Sequence, residues 1–178
     1  AFRSSRAEPY GEIFLRKAIA KLLVGDVAGV QEIFLAVVGA LRRREVPTRD
    51  VSSRVRLTKS PARYLESREK RRELPYEALL LAGITRWSVG DRIRVYRKRA
   101  GEAGVYDPEE TWTDATDPRD YDIEYYVRQL RETFAARLAR ALTPADFAAV
   151  FGDPDQVSLF PPNFEAMRPI LTTFGPPR

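Results

Sequence analysis

YDIEYYVRQLRETFAARLARAL, residues 121–142, is the stretch that decides the fold. Ile123, Tyr126, Val127, Leu130, Phe134, Leu138 and Ala141 recur at helical spacing, so a long helix here has one apolar face that other helices must cover. Two such partners lie upstream. Pro9 to Leu23 carries Phe14, Leu15, Ala18, Ile19 and Leu22 on one face, and Val27 to Arg44 carries Val30, Ile33, Val37 and Leu41. Gly25-Asp26 closes the first and caps the second, with Asp26 as N-cap. Arg42-Arg43-Arg44 suits the negative end of the second helix dipole, and Pro47 blocks its continuation. The pair is expected to form an antiparallel hairpin.

Between these helices and the long one, the periodicity changes. Val51 to Leu57 alternates, which predicts a short strand or extended segment. Ser60-Pro61 reads as a cap followed by a first-turn proline, with a polar helix to about Arg72. Pro75 to Ala82 predicts another helix, closed by Gly83. Asp91 to Arg97 alternates again, Ile93 and Val95 against Arg92, Arg94 and Arg97, which reads as a strand with one basic face. Gly101 to Gly104 is its expected turn and Val105-Tyr106 its return. Asp107-Pro108 and Asp117-Pro118 punctuate an acidic loop. Thr143-Pro144 opens a last helix ending near Gly152, and five prolines from Pro161 onward mark an extended tail. The expected class is therefore mainly α with a small β element (α+β). Residues 1–151 form one domain and 152–178 an extended tail.

The chain has 178 residues and a mass of 20.3 kDa, of which 44% are apolar and 31% charged. Thirty Lys and Arg face 25 Asp and Glu, a net of +5, and there is no His and no Cys. That excludes thiol nucleophiles, histidine bases, Cys/His zinc sites and disulfides. The longest apolar run, Ile33 to Leu41, is too short for a membrane span, and Ala1-Phe2-Arg3-Ser4-Ser5-Arg6 has no apolar leader core. A start on Ala at the approach to a helix reads as a piece of a longer protein.

Charge is segregated. Residues 42–72 hold twelve basic and four acidic side chains, residues 86–99 six and one, and residues 102–124 one and nine. Two basic blocks and one acidic block predict differently charged faces, and the arginine-rich blocks suit a phosphate backbone. The plainer alternative is a solvated face of Arg–Glu pairs. Asp114 and Asp117 superficially suggest a metal-binding pair. They lie in a loop between Trp112 and Pro118 that reads as exposed, where a two-metal site needs converging carboxylates on a rigid element.

The order of segments carries a resemblance. VPTRDVSSRVRLTKSPARY is followed by LPYEALLLAGI, then VGDRIRVY, then YDIEYYVRQL. This succession resembles the thumb region of family B DNA polymerases of the bacterial polymerase II type, over roughly residues 9–151. The matching residues are Thr58, Lys59 and Tyr64, then Pro75, then Gly90, then Tyr121, Asp122, Tyr125 and Tyr126. Pro61 stands where the pattern has Leu, and Tyr76 where it has His. Gln156-Val157-Ser158-Leu159-Phe160 resembles the peptide by which bacterial replication proteins dock on the sliding clamp, a Leu-Phe plug with hydrogen bonds from Gln. Eighteen residues follow it, whereas that peptide often ends its chain.

The resemblance implies a thumb-like helical domain that grips primer–template duplex through phosphates, without sequence preference, for replication or repair synthesis. It implies DNA contacts at Arg54, Arg56, Thr58, Lys59 and Arg63, with Arg92, Arg94 and Arg97 from the basic strand. It implies clamp contacts at Gln156, Val157, Leu159 and Phe160. Tyr125 and Tyr126 are expected to pack inside the protein rather than stack on bases. The palm domain is the implied intramolecular partner, with Mg²⁺ used there for nucleotidyl transfer and neither catalytic residue nor cofactor site in this chain. The implied location is the cytoplasm, on the nucleoid, with no membrane contact. Two other classes stay open: an interaction module that docks on the clamp without touching DNA, and a carboxylate metalloenzyme built on the acidic loop.

Overall fold

The computed structural model describes residues 7–156 and 159–170. The expected class is the one found: helices predominate, with one small antiparallel sheet. The fold divides into two compact units. One is Leu41–Tyr126 with the start of the chain up to Gly11, and the other is Glu12–Ala40 with the chain from Val127 on.

In the first unit, strands β1 (Ser53–Arg56), β2 (Arg92–Arg97) and β3 (Ala103–Val105) lie in the order β1-β2-β3. Ser53 pairs with Val95, Arg54 with Arg94, Val55 with Ile93 and Arg56 with Arg92. Val95 pairs with Val105 and Arg97 with Ala103. Because side chains alternate across a sheet, Val55, Ile93, Val95, Ala103 and Val105 share one face. That face packs on helix α5 (Leu74–Leu81) in a core with Leu57, Tyr64, Tyr76, Ala78 and Leu79. The other face carries Arg54, Arg56, Arg92 and Arg94. Short helices α3 (Thr48–Val51) and α4 (Pro61–Ser67) flank β1. Ser60 caps α4 by accepting from the Arg63 amide at 3.3 Å, as its position before Pro61 predicts.

The second unit draws on helices α1 (Pro9–Leu23), α2 (Val27–Arg42), α6 (Ile123–Gln129) and α7 (Pro144–Val150). Asp26 caps α2 through the Gly29 amide at 2.8 Å, and Thr143 caps α7 through the Asp146 amide at 3.1 Å. Its centre is three rings, Phe14, Phe34 and Phe151, meeting edge-on with centroids 5.3 to 6.3 Å apart, a favoured aromatic geometry. The buried stripe of α2 is Val30, Phe34, Val38 and Leu41. It lies beside the expected Val30–Ile33–Val37–Leu41 stripe, because α2 is apolar on most of its surface and the ring cluster at Phe34 chooses the face. Ile19, expected inside, is 45% exposed.

The long helix expected over 121–142 starts at Ile123 and changes pitch twice. After α6, residues Leu130–Phe134 form a π-helical turn and Ala135–Ala141 a 3₁₀ run. The wide turn followed by a tight one keeps Leu130, Phe134, Ala135 and Leu138 all buried. A uniform 3.6-residue reading of the sequence cannot show such a change.

Candidate nucleic-acid interface

The register of β1 and β2 sets arginine against arginine twice on the sheet's outer face, Arg54 opposite Arg94 and Arg56 opposite Arg92. Like charges directly opposite destabilise a ladder. The two rungs are two residues apart, about 7 Å along the strand. Arg54, Arg56 and Arg92 are exposed and Arg94 is half-buried. Burial holds the Arg94 guanidinium below its ordinary value, and the neighbouring charges of Arg49 and Arg54 push it further down. The array concentrates positive charge on one exposed face of the sheet.

Arg97 belongs elsewhere. Its odd number puts it on the other face of β2 from Arg92 and Arg94, which corrects the expectation of one basic face carrying all three. Its guanidinium sits 4.7 Å from the Tyr125 ring centroid, a cation–π contact. Its amide donates to the Tyr126 hydroxyl at 2.8 Å. The Tyr-Asp-x-x-Tyr-Tyr segment is therefore a structural clip. Tyr121 donates to the Val46 carbonyl at 3.0 Å, Asp122 caps α6 by accepting from the Tyr125 amide at 3.1 Å, and Tyr126 is buried. Burial pushes the Tyr121 hydroxyl up to about 12.

Beyond β1 the chain turns a corner at Thr58-Lys59, and aromatic residues build that corner. The Tyr76 hydroxyl accepts from both the Thr58 amide, at 3.0 Å, and the Lys59 amide, at 2.9 Å. Tyr76 stacks on Tyr64 at 4.5 Å between centroids, and the Trp87 indole N–H donates to the Lys59 carbonyl at 2.8 Å. Tyr64 in turn donates to Glu77 at 2.6 Å, and Arg68 forks onto Glu77 at 2.9 and 3.0 Å. Arg68 and then the Tyr64 hydroxyl hold the Glu77 carboxyl down at about 2. Residues far apart in the resemblance's succession thus meet in one small cluster, with Thr58 left exposed at its edge.

The fold sorts the basic block. Arg43 pairs with Glu45 at 2.9 Å, Lys59 with Glu73 at 2.7 Å and Arg68 with Glu77. Arg44 is a clip, donating to the carbonyls of Arg119 and Tyr121 while Arg119 donates back to the Arg44 carbonyl. Lys59, expected to reach DNA, therefore has a carboxylate partner already. Arg54, Arg56 and Arg63 are exposed without an ion pair among the described residues. Arg49 belongs to the basic block of residues 42–72 but is not among the expected DNA contacts. It is grouped with the strand arginines because the short helix α3 folds it back beside β1 and β2, a turn too brief to leave a periodic signal.

The acidic loop differs from its expectation at Asp117. That side chain is only 8% exposed. It accepts from the amide and hydroxyl of Thr48, at 2.9 and 2.5 Å, so it fixes the start of α3. Asp114 is exposed. No cluster of three or more potential metal ligands occurs among the described residues, and both Asp117 oxygens are engaged by Thr48, so the pair does not fit a two-metal centre.

In the second unit, Leu159 is 93% and Phe160 87% exposed. Gln156 is exposed too, its amide bonded to the Asp153 carbonyl at 3.1 Å. Val157 lies outside the described residues. The segment that follows returns to the unit. Phe164–Ala166 makes a 3₁₀ turn, and the Ile170 amide donates to the Ala141 carbonyl at 2.7 Å. Gln156 and Phe164 line the same groove, with Leu35 and Val150 at its floor. Described residues on both sides of Leu159 and Phe160 therefore contact this unit.

Among the described residues no helix is long and apolar enough to cross a membrane. No protein-family model matches the chain, and no curated protein sequence matches it.

Proposed function

We propose that this chain is a thumb-type domain of a family B DNA polymerase. It grips primer–template duplex by phosphate contacts and presents a loop that docks on a sliding clamp. The observation that carries the reading is the pair of arginine rungs, Arg54–Arg94 and Arg56–Arg92, on the outer face of the sheet. They run directly into the Thr58-Lys59 corner that Tyr76 holds. Guanidiniums supply bidentate, sequence-blind phosphate contacts, and the exposed Thr58 hydroxyl adds a neutral one. Arg63, exposed in the first turn of α4, supplies a further cation. Such a grip slows dissociation of duplex and leaves bond-making to another part of the parent enzyme.

The test is binding of the chain to a labelled primer–template duplex and to the single-stranded template across a salt series. Duplex preference with a steep salt slope and little sequence dependence is the expected result. Equal, weak binding of duplex and single strand at low salt refutes the grip.

A second reading, a clamp-docking module with no DNA role, is favoured by one observation, the outward Leu159 and Phe160. An exposed apolar pair of this kind suits insertion into an apolar pocket of a partner. Leu159→Ala with Phe160→Ala is expected to abolish clamp binding while leaving thermal stability and duplex binding unchanged. Retained clamp binding removes the loop from the interface.

A further inference from the structure

The outer sheet face does more than offer scattered charge. Arg49, Arg54, Arg92 and Arg94 line one recess of about 440 Å³ together with Tyr106, the strand backbone and the turn Asp107–Glu110. That volume lies in the range of small-ligand sites. Cations converge there from two directions. Arg54, Arg92 and Arg94 come off the paired strands, and Arg49 comes from α3. None of the four makes an ion pair among the described residues. Arg94 is steadied by a weak bond to the Ser52 hydroxyl at 3.4 Å, and it is the one whose charge is destabilised by burial and by Arg49 and Arg54.

Several basic residues elsewhere are already engaged. Arg43, Lys59 and Arg68 each have a carboxylate partner. Two acids line the recess, and Asp50 on α3 lies close enough to Arg49 and Arg94 to offset part of their charge. Asp107 directs its carboxylate to the amides of Thr111 and Trp112, at 2.6 and 3.1 Å, and Glu110 is exposed at the rim. Among the described residues, none of these acids makes an ion pair with the four arginines. Burial and the arginine neighbours still outweigh Asp50 at Arg94, and an incoming oxyanion would offset the remaining repulsion.

We infer that this recess is a discrete seat for phosphoryl oxyanions, with room for two linked phosphoryl groups, lined by Arg49, Arg54, Arg92 and Arg94. The inference rests on the proposed duplex grip for its biological ligand, since the seat lies on the same basic face. The chemistry alone fits a free pyrophosphate as well as the backbone of a nucleic acid.

Calorimetric titration of the whole chain with inorganic pyrophosphate, inorganic phosphate and sulfate tests the seat. Three proteins are compared: wild type, Arg49→Gln with Arg94→Gln, and Lys70→Gln with Arg71→Gln. The last pair is exposed and outside the recess lining, and it matches the charge removed. One-to-one binding is expected, tightest for pyrophosphate. It should weaken roughly tenfold or more in the Arg49/Arg94 variant and stay unchanged in the control. Melting of that variant should not fall, because like-charge repulsion is removed. If it does, Arg54→Gln alone, at an exposed position, serves in its place and should weaken pyrophosphate severalfold.

Equal weakening in the control pair, or no saturable binding by wild type, overturns the seat. Duplex titrations on the same samples separate the two proposals. Duplex binding without pyrophosphate binding sinks the seat and leaves the grip. The reverse sinks the grip and leaves the seat. Where both bind, displacement of duplex by pyrophosphate assigns the seat to backbone phosphates, and simultaneous binding assigns it to a free anion.

Discussion

Replacing Tyr76 by Phe removes one oxygen and nothing else. That oxygen accepts from two consecutive backbone amides, those of Thr58 and Lys59. The ring stays stacked on Tyr64, and the side chain is only 5% exposed, so packing is preserved. Leaving a buried donor unpaired costs about 1–3 kcal/mol. Thr58 is exposed and Lys59 half-buried, so water reaches these amides in part and the low end applies. Two amides at about 1 kcal/mol each give about 2 kcal/mol, or roughly 4–8 °C in melting temperature for a chain of this length. The effect should be local as well as global. Hydrogen exchange at the Thr58 and Lys59 amides is expected to quicken roughly thirtyfold, and Trp87, tilted against Tyr76 at 5.7 Å between centroids, reports the change by fluorescence. Duplex affinity should fall with the corner's order although no charge has changed. A melting point within about 1 °C of wild type, with unaltered exchange at both amides, would falsify the account of how the corner is held.

Three further outcomes are expected. Arg54→Gln with Arg56→Gln should lower the salt slope of duplex binding by about 0.9 for each phosphate that is no longer neutralised. Lys59→Gln should lower it by less, since Lys59 is already paired with Glu73; equal slopes for the two proteins contradict that ranking. Glu77 is held down at about 2 in the folded chain against about 4.3 when unfolded. Its contribution to stability is therefore full above about pH 4.5 and disappears as pH falls through about 2, and Glu77→Gln should flatten an acid-unfolding curve over that window. Gly104→Ala should cost about 1–3 kcal/mol, read from denaturant midpoints. A methyl there would meet the Tyr96 ring at 2.9 Å and Lys98 Cε at 2.7 Å; Tyr96 is buried and bonded through its hydroxyl to Asp120, so it cannot retreat. An unchanged midpoint would mean that the ring moves freely.

The elements were legible where local chemistry decides them. Ser60-Pro61, Thr143-Pro144 and Asp26 announced three helix starts, and alternation at 91–97 announced β2. Register was not legible. Nothing in the local pattern of either strand says that Arg54 meets Arg94, because strand pairing is settled by the core under the sheet, where Val55, Ile93 and Val95 pack on α5. The expectation for Arg97 failed on parity alone, a constraint that was present in the numbering. Asp117 was read as solvent-exposed because a Pro-punctuated acidic loop usually is. Its role at Thr48 depends on a contact 69 residues away in sequence, which no window along the chain contains. The same holds for Lys59 and Glu73, whose pairing turns a residue read as a phosphate ligand into one already engaged.

The return of the chain after Phe160 shortens the leash on whatever the loop catches. Eight peptide units separate Gln156 from Phe164, a contour of at most about 29 Å. Both ends line one groove of the helical unit, so the tip stands no more than about 14 Å from its base, half that contour. A partner seated on Leu159 and Phe160 is therefore carried against the helical unit, with little freedom to swing. The arrangement exchanges search radius for a fixed posture of any partner that the proposed docking would bring to the loop.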